Sequence, residues 1–428
     1  MVGILKSNFL LFPALALCVL LYAFIPDQDP RPPRFLSSKS NQRLVECELL
    51  SCPVQVGENK KYNLARARLF LVENEDGLVS SADGETSLYF PSELCEIYQP
   101  GRLYSAWRGK KVDFLLDKGA RCVLLASEKS FFDKKSSLEK KSFYVSELLS
   151  CSFKDTFWGR LQRLRALSRL LFARLMFAWG SAGGLLLALL SGSRSYLESD
   201  SARAFRLSGL SHVLALSGMH LSLFSSLAFA FGKKTFGKKA APYLELFAIS
   251  VFVWFAGKSP SLFRALLCSF AAIFSGLLKI KAKSPLNLLA LVFLIHVCVF
   301  PRDIRELSFM LSYGSLAGIL AFNEFIAKPL FGAIPSGAAN SLAQSLGAQS
   351  VSMPICARFF GFLTPAGILA SVFVSPMVTI FIYLGLFCIL ASLLFPFAAP
   401  LCGCLLSFVY KGIKGSVLFF SAIPCLKI

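Results

Sequence analysis

The stretch GLSHVLALSGMHLSL, residues 209–223, sets His212 and His220, two of the chain's three histidines, around Ser217-Gly218 in an otherwise apolar run. Imidazoles bind metals, move protons or make hydrogen bonds. On a continuous helix eight residues rise about 12 Å and turn by about 80°. That is too far for the two rings to share one ion, yet both face one half of a bundle. His296, in FLIHVCVF, stands alone in sequence. Ser217 is not in the G-x-S-x-G turn of a hydrolase nucleophile. AGKSPS at 256–261 resembles the end of a phosphate loop, but Phe252 occupies the position of its first glycine. The apolar half of the chain holds six acidic residues: Glu198, Asp200, Glu245, Asp303, Glu306 and Glu324. Carboxylate chemistry and carboxylate proton paths are therefore not indicated. No catalytic, metal-binding or cofactor-binding set emerges, no cofactor is expected, and the reading is a channel or transporter rather than an enzyme.

What remains is a polar, mostly basic set inside apolar segments: Arg203, Arg206, His212, Ser217, His220, Arg264, Gln349 and Arg358. Breaks are predicted at Ser217-Gly218 and at Pro354. Polar groups at membrane depth are costly unless they face a bundle interior or a hydrated path. Irregular backbone is tolerated there only where it lines a cavity or packs in protein. Such groups either line a path or hold helices together.

The elements that must position them follow from composition. The chain is 55% hydrophobic over 428 residues, with mean hydropathy +0.60, which points to an integral membrane protein. Residues 8–25 form a first apolar run behind Lys6. No small-x-small cleavage site precedes Pro26, so 1–26 is expected to be a retained anchor. Pro- and Ser-rich residues 27–40 read as a linker. Residues 41–130 hold short strand-like runs, among them LARARLF with alternating apolar and basic residues, and predict a small OB-like β-barrel. Arg66, Arg68, Tyr104, Trp107, Arg108, Lys110 and Lys111 could contact single strands there, although aromatics in a small barrel are mostly core. Residues 131–158 read as a second linker. Arg160, Arg163, Arg165, Arg169 and Arg174 among leucines make 159–191 a basic amphipathic, interfacial or re-entrant segment, with Gly180 and Gly184 spaced for close packing. Apolar segments then follow at 209–231, 241–256, 260–278, 286–300, 307–326, 342–360, 365–397 and 399–423. The 365–397 run is long enough for two spans broken near Pro376.

The +20 net charge is uneven: residues 26–158 carry 20 basic and 19 acidic residues, the rest 25 and six. The positive-inside rule places the turns GKKTFGKK (232–239) and KIKAK (279–283) in the cytoplasm; a polyanion passing close by is the sharper cause. Of the 13 cysteines, Cys47, Cys52, Cys95 and Cys122 fall in the barrel region and could form one or two disulfides if it lies outside the cytoplasm. Cys402 and Cys404, a C-x-C inside an apolar helix, read as small core residues.

These residues also resemble a family. LLLALLSGSRSYLESDSARAFRLSGLSHVLALSGMHLSL is similar to the signature of the ComEC competence proteins, with Arg194, Phe205, Arg206, Gly209, His212, Ala215, Ser217, Gly218 and His220 on matching positions. GKSPSLFRALL resembles the family's G-x-x-P-S-x-x-R-A segment through Gly257, Pro260, Ser261, Arg264 and Ala265. PRDIRELSFMLSYGSLAGIL matches through Phe309, Leu311, Ser312 and Gly318, with Arg302-Asp303 in place of the usual Asp-Pro. AQSVSMPICARFFGF resembles the A-Q…P…F-G segment. The resemblance covers about 165–397.

It implies a polytopic α-helical membrane protein with an N-terminal OB-like β-barrel outside the bacterial inner membrane, residues 192–428 forming a channel for single-stranded DNA in natural transformation. Arg194, Arg203, Arg206, His212, Ser217, Gly218, His220, Arg264, Ser312, Gln349, Pro354 and Arg358 become the candidate path or motif residues. Partners implied are single-stranded DNA and membrane lipids, with an extracytoplasmic DNA receptor, a cytoplasmic helicase and a separate nuclease. The H-x-H-x-D-H set of the nuclease domain that ends many members is not found. A permease for a small molecule or lipid is the alternative.

Overall fold

In a computed structural model, the described residues are 13–14, 16–18, 42–56, 61–74, 79–95, 115–132, 139–194, 196–214, 218–257, 259–277, 284–330, 335–360, 362–364, 366–423 and 426–427. Most of the expected anchor, the linker 27–40, Ser217, the basic turn 279–283 and Tyr104, Trp107, Arg108, Lys110 and Lys111 lie outside them. Of the anchor, Ala14, Leu17 and Cys18 are helical and pack into an apolar cluster with Leu289, Phe293, Phe309 and Tyr313.

The N-terminal part is a β-barrel. Its strands are β1 (Gln42–Leu49), β2 (Val54–Val56), β3 (Tyr62–Asn74), β4 (Val79–Ser81), β5 (Glu85–Pro91), β6 (Arg121–Phe132) and β7 (Glu139–Ser152). β1 pairs with both β3 and β6, β6 with β7, β7 with β5, and β5 with β3, so five strands close into a ring. Only the β5–β7 pairing within the ring is parallel. The connectivity is that of a five-stranded Greek-key barrel. Period-two patterning drives it. In β3, Asn63, Ala65, Ala67 and Leu69 are buried while Arg66 and Arg68 are exposed. The run LARARLF lies in β3, and β1, β5 and β6 fall on further short strand-like runs within 41–130. The barrel does not end at residue 130. β7 occupies residues read as linker, because the charged start EKKS hides the alternation of the apolar residues after it.

The helical part begins with α1 (Phe157–Ala178) and α2 (Gly180–Ser191), followed by the short α3 (Ser199–Leu207) and α4 (Ser211–Leu214). Then come α5 (Gly218–Thr235), α6 (Ala241–Ala256), α7 (Pro260–Leu277), α8 (Pro285–Val299), a 3-10 turn (Pro301–Arg305), α9 (Leu307–Leu330), α10 (Ser336–Phe360), α11 (Ala366–Leu394) and α12 (Ala399–Ser421). Strands Phe362–Leu363 and Leu426–Lys427 pair beyond α10 and α12. Among the described residues three stretches are long and apolar enough to cross a membrane: Leu307–Pro329, Ala366–Leu394 and Pro396–Ser421. Shorter apolar helices are Gly180–Ser191, Ala241–Ala256, Pro260–Gly276 and Pro285–Val299. Pro376 does not split 365–397 into two spans. It lies inside one continuous 29-residue helix, α11, whose neighbouring helices outweigh the bond that proline removes.

α2 is the centre of the helical core. From Ala182 to Ser191 every residue is buried, as expected of a helix apolar on all sides. Its leucines pack with Val374, Val378 and Phe381 of α11 and Leu406, Ile413 and Val417 of α12. Trp179 pins the entry to α2 by donating its indole N–H to the Ala399 carbonyl at 3.1 Å. Gly184 is a packing glycine, since a Cβ there would sit 2.2 Å from the Tyr196 carbonyl oxygen. Gly180 is not: nothing lies within 4 Å, and its φ of +58° makes it the turn between α1 and α2.

α1 carries exposed Leu164, Leu167 and Leu171 along one side. Two of its arginines turn inward instead. Arg165 Nε donates to the Phe255 carbonyl (3.4 Å) and Arg169 Nη1 to that of Ala256 (3.2 Å), capping the end of α6. The barrel meets α1 at Gly119, where a Cβ would collide with the Gln162 side chain.

Candidate functional site

The arginine of PSLFRA and the glycine of LALSGMH meet inside the helical part. Arg264, on α7, is 9% exposed. Its Nη1 donates to the Ser312 carbonyl on α9 at 3.0 Å, and its guanidinium lies 5.9 Å from the Tyr313 ring centroid, within reach of a cation–π contact. The Ser312 hydroxyl donates to Ser261 at 2.9 Å. Gly218 opens α5 beside them: a Cβ there would be 3.1 Å from Arg264 Nη2, so a larger residue would press on the guanidinium. Arg264 Nε has no hydrogen-bond partner, and no carboxylate among the described residues pairs with the group. A buried cation without a counter-charge is costly unless it is hydrogen-bonded or paired.

Tyr313 extends this cluster to residues that the sequence left apart. His296, 0% exposed, has Nδ1 at 3.1 Å from the Tyr313 hydroxyl and Nε2 at 3.1 Å from Asp303 Oδ2. Asp303 sits in the 3-10 turn after α8 and is itself buried. The detectable signal was IHVCVFPRD, a histidine and an aspartate flanking a helix end marked by Pro301. Among the described residues no group of three or more His, Cys, Asp or Glu side chains is placed to hold a metal ion.

A second convergence lies at Gly209, whose φ is +75°. A Cβ there would meet Thr364 Oγ1 at 2.6 Å and Gly367 Cα at 3.0 Å. Gln349 approaches the same point, its amide nitrogen 3.6 Å from where a Gly367 Cβ would be. His212 Nδ1 is 3.1 Å from the Gly209 carbonyl, with the ring exposed, whereas His220 is fully buried. The two rings do not share one environment. Arg194, Arg203, Arg206, Pro354 and Arg358 are exposed and stand outside both convergences. Glu198, which the sequence did not single out, accepts from Lys414 Nζ at 2.6 Å, from the Tyr410 hydroxyl at 3.2 Å and from Ser181. The Lys414 ammonium, aided by Ser181, holds the Glu198 carboxyl down to about 2.

On the barrel, Tyr62, Tyr89 and Tyr144 form one aromatic cluster. Tyr89 and Tyr144 stack at 4.7 Å, and Tyr62 meets Tyr144 edge-on at 5.4 Å. Tyr62 shares its side of β3 with exposed Arg66 and Arg68, and Arg68 pairs with Glu85 at 3.8 Å. In the interior Cys47, Cys122 and Cys151 lie opposite one another on β1, β6 and β7. Cys122 and Cys151 sulfurs are 3.8 Å apart, and Cys52 donates instead to Asp117. Burial pushes the Cys47 thiol up to about 12.

Comparison with known proteins finds relatives for about half of the chain. ComE operon protein 3 of Bacillus subtilis is 24% identical over 220 residues, covering 51% of this chain and 27% of that protein. Recombination protein 2 of Haemophilus influenzae is 26% identical over 160 residues, covering 35% and 20%. The matched regions are thus about a quarter and a fifth of the two relatives' lengths. No solved structure matches. The family described as Competence protein matches residues 189–428, the region that holds both convergences and more than half the chain; the protein belongs to the competence protein family.

Proposed function

We propose that this chain is a multi-pass protein of the bacterial inner membrane that passes single-stranded DNA toward the cytoplasm during transformation. The observation that carries the reading is Arg264. Three motifs well separated in sequence, around Gly218, Arg264 and Ser312, converge on one buried guanidinium with no paired carboxylate among the described residues. A cation path would place carboxylates there, and a neutral substrate would leave the charge unmatched. A phosphodiester supplies the missing charge, and an arginine fork suits it. The OB-like barrel stands outside the membrane. Its Tyr62, Tyr89 and Tyr144 cluster, beside Arg66 and Arg68, offers stacking surface and positive charge for a single strand. The exposed leucines of α1, with Arg160 and Arg163, lie in the lipid interface. An extracytoplasmic DNA receptor, a cytoplasmic helicase and a separate nuclease complete the pathway as partners.

The test is transformation frequency beside membrane protein level. Losing a charged buried contact costs about 1.5–3 kcal/mol, so Arg264→Gln is expected to lower uptake about tenfold to a hundredfold at unchanged protein level. Normal uptake in Arg264→Gln would overturn the reading.

A further inference from the structure

Asp303, His296 and Tyr313 form a hydrogen-bonded line in which both imidazole nitrogens are engaged. The Tyr313 hydroxyl also has a second acceptor, the Val292 carbonyl at 3.4 Å. Two proton arrangements satisfy the same heavy-atom positions. With a neutral ring, Nε2–H donates to Asp303 and the phenol donates to Nδ1. With a protonated ring, both nitrogens donate, and the phenol turns its hydrogen to Val292. The line can therefore take up one proton by rotating a hydroxyl, and the Asp303 carboxylate balances the added charge.

The surroundings confine that proton. Phe263, Phe309 and Phe300 surround the His296 ring at 4.9, 5.0 and 6.3 Å. Among the described residues, Arg264 and Cys268 of α7 lie beside Tyr313 of α9, and Arg302, Arg305 and Glu306 adjoin Asp303 in the chain after α8. Tyr313 is the shared member: its hydroxyl belongs to the line and its ring lies under the Arg264 guanidinium.

We propose that Asp303, His296 and Tyr313 form a proton-binding site whose occupancy is linked to anion occupancy beside Arg264. The linkage rests on the nucleic-acid reading above. The unprotonated line carries the charge of Asp303, which opposes an anion at Arg264; the protonated line is neutral and does not. Linkage is reciprocal, so an anion at Arg264 raises the proton affinity of the line. A strand entering the path would thereby take up a proton and release it on leaving.

The experiment uses the full chain in lipid nanodiscs with 15N-labelled histidine. Only three histidines are present, and the signals missing in His296→Gln identify the ring. Titration of His296 is expected between about pH 5 and 8. Asp303→Asn should lower its midpoint by about one unit or more, and saturating oligodeoxythymidylate should raise it by about half a unit or more. Arg264→Gln should keep the titration and lose the oligonucleotide response. Tyr313→Phe keeps the ring under Arg264 and should weaken both. A His296 ring that stays neutral down to about pH 5, or a midpoint indifferent to Asp303→Asn, overturns the proton site. A midpoint unmoved by bound oligonucleotide overturns the linkage. An oligonucleotide that fails to bind at any pH overturns the DNA reading and the linkage with it, and the titration still decides the proton site.

Discussion

Arg264 keeps its charge among apolar helices by sharing it between a backbone carbonyl and a ring face, with Nε left over. Lysine has no planar fork, so Arg264→Lys should recover only part of the uptake lost in Arg264→Gln, read as transformation frequency at equal protein level. His220→Asn should likewise retain more uptake than His220→Ala, because the amide keeps a hydrogen-bonding group in a fully buried position. Glu198 behaves differently. Its folded-state value lies below the unfolded one of about 4.3, so its contribution to stability is present above that pH and is lost as pH falls through about 2. Thermal stability of the native protein should fall with acid below about pH 5, most steeply between the unfolded and folded values, and Glu198→Gln should flatten that dependence. Among the thiols, copper-phenanthroline oxidation should join Cys122 to Cys151, leaving Cys52 free, as read by peptide mass mapping. Sequence named Cys122 but not Cys151, because the facing strand had been read as linker. Arg264, Ser312 and Gln349 were legible as motif positions. The pairing of His296 with Asp303 was not, because seven residues across a helix end form no period that marks two side chains as partners.

At the scale of elements, the helices that meet most intimately do so through small residues. Gly318 of α9 and Gly347 of α10 lie so close that a Cβ on Gly318 would stand 2.2 Å from the Gly347 carbonyl oxygen. Gly318→Val should therefore destabilise the pair by about 1–3 kcal/mol, measured as loss of folded protein after extraction, whereas Gly276→Val, with nothing within 4 Å, should not. The strands with clean alternation, β1, β3 and β5, were readable from sequence, and so were the apolar helices with basic turns between them. α1 was legible as amphipathic and basic, but not the use of Arg165 and Arg169 to cap α6. A side chain's partner nearly 90 residues away leaves no trace in local periodicity. Pro376 misled for a related reason: the cost of a proline depends on neighbouring helices that a local window does not contain.

At the scale of the whole molecule, the basic turns between the apolar helices carry a prediction of sidedness. The barrel and the turn Lys233–Lys239 are predicted to lie on opposite sides of the membrane. Single cysteines introduced at Val54 and Phe236 in a background lacking native thiols should label with a membrane-impermeant reagent in opposite preparations, intact cells and inverted vesicles. Labelling of both from one side would sink the topology. The broad plan, a small barrel followed by a part made of apolar helices, was legible because it rests on composition and period. The closure of the barrel and the burial of α2 were not, since both depend on partners far along the chain. That last separation has a consequence for how the protein is made. α2 ends at Ser191 and emerges from the ribosome long before α11, which begins at Ala366, and longer still before α12, the helices that enclose it. At about 18 Å it is too short to cross a bilayer core of about 30 Å by itself. Until α11 and α12 have been made it is a guest without a host, so chains stopped before residue 366 should be cleared by membrane proteases while chains that include both helices endure.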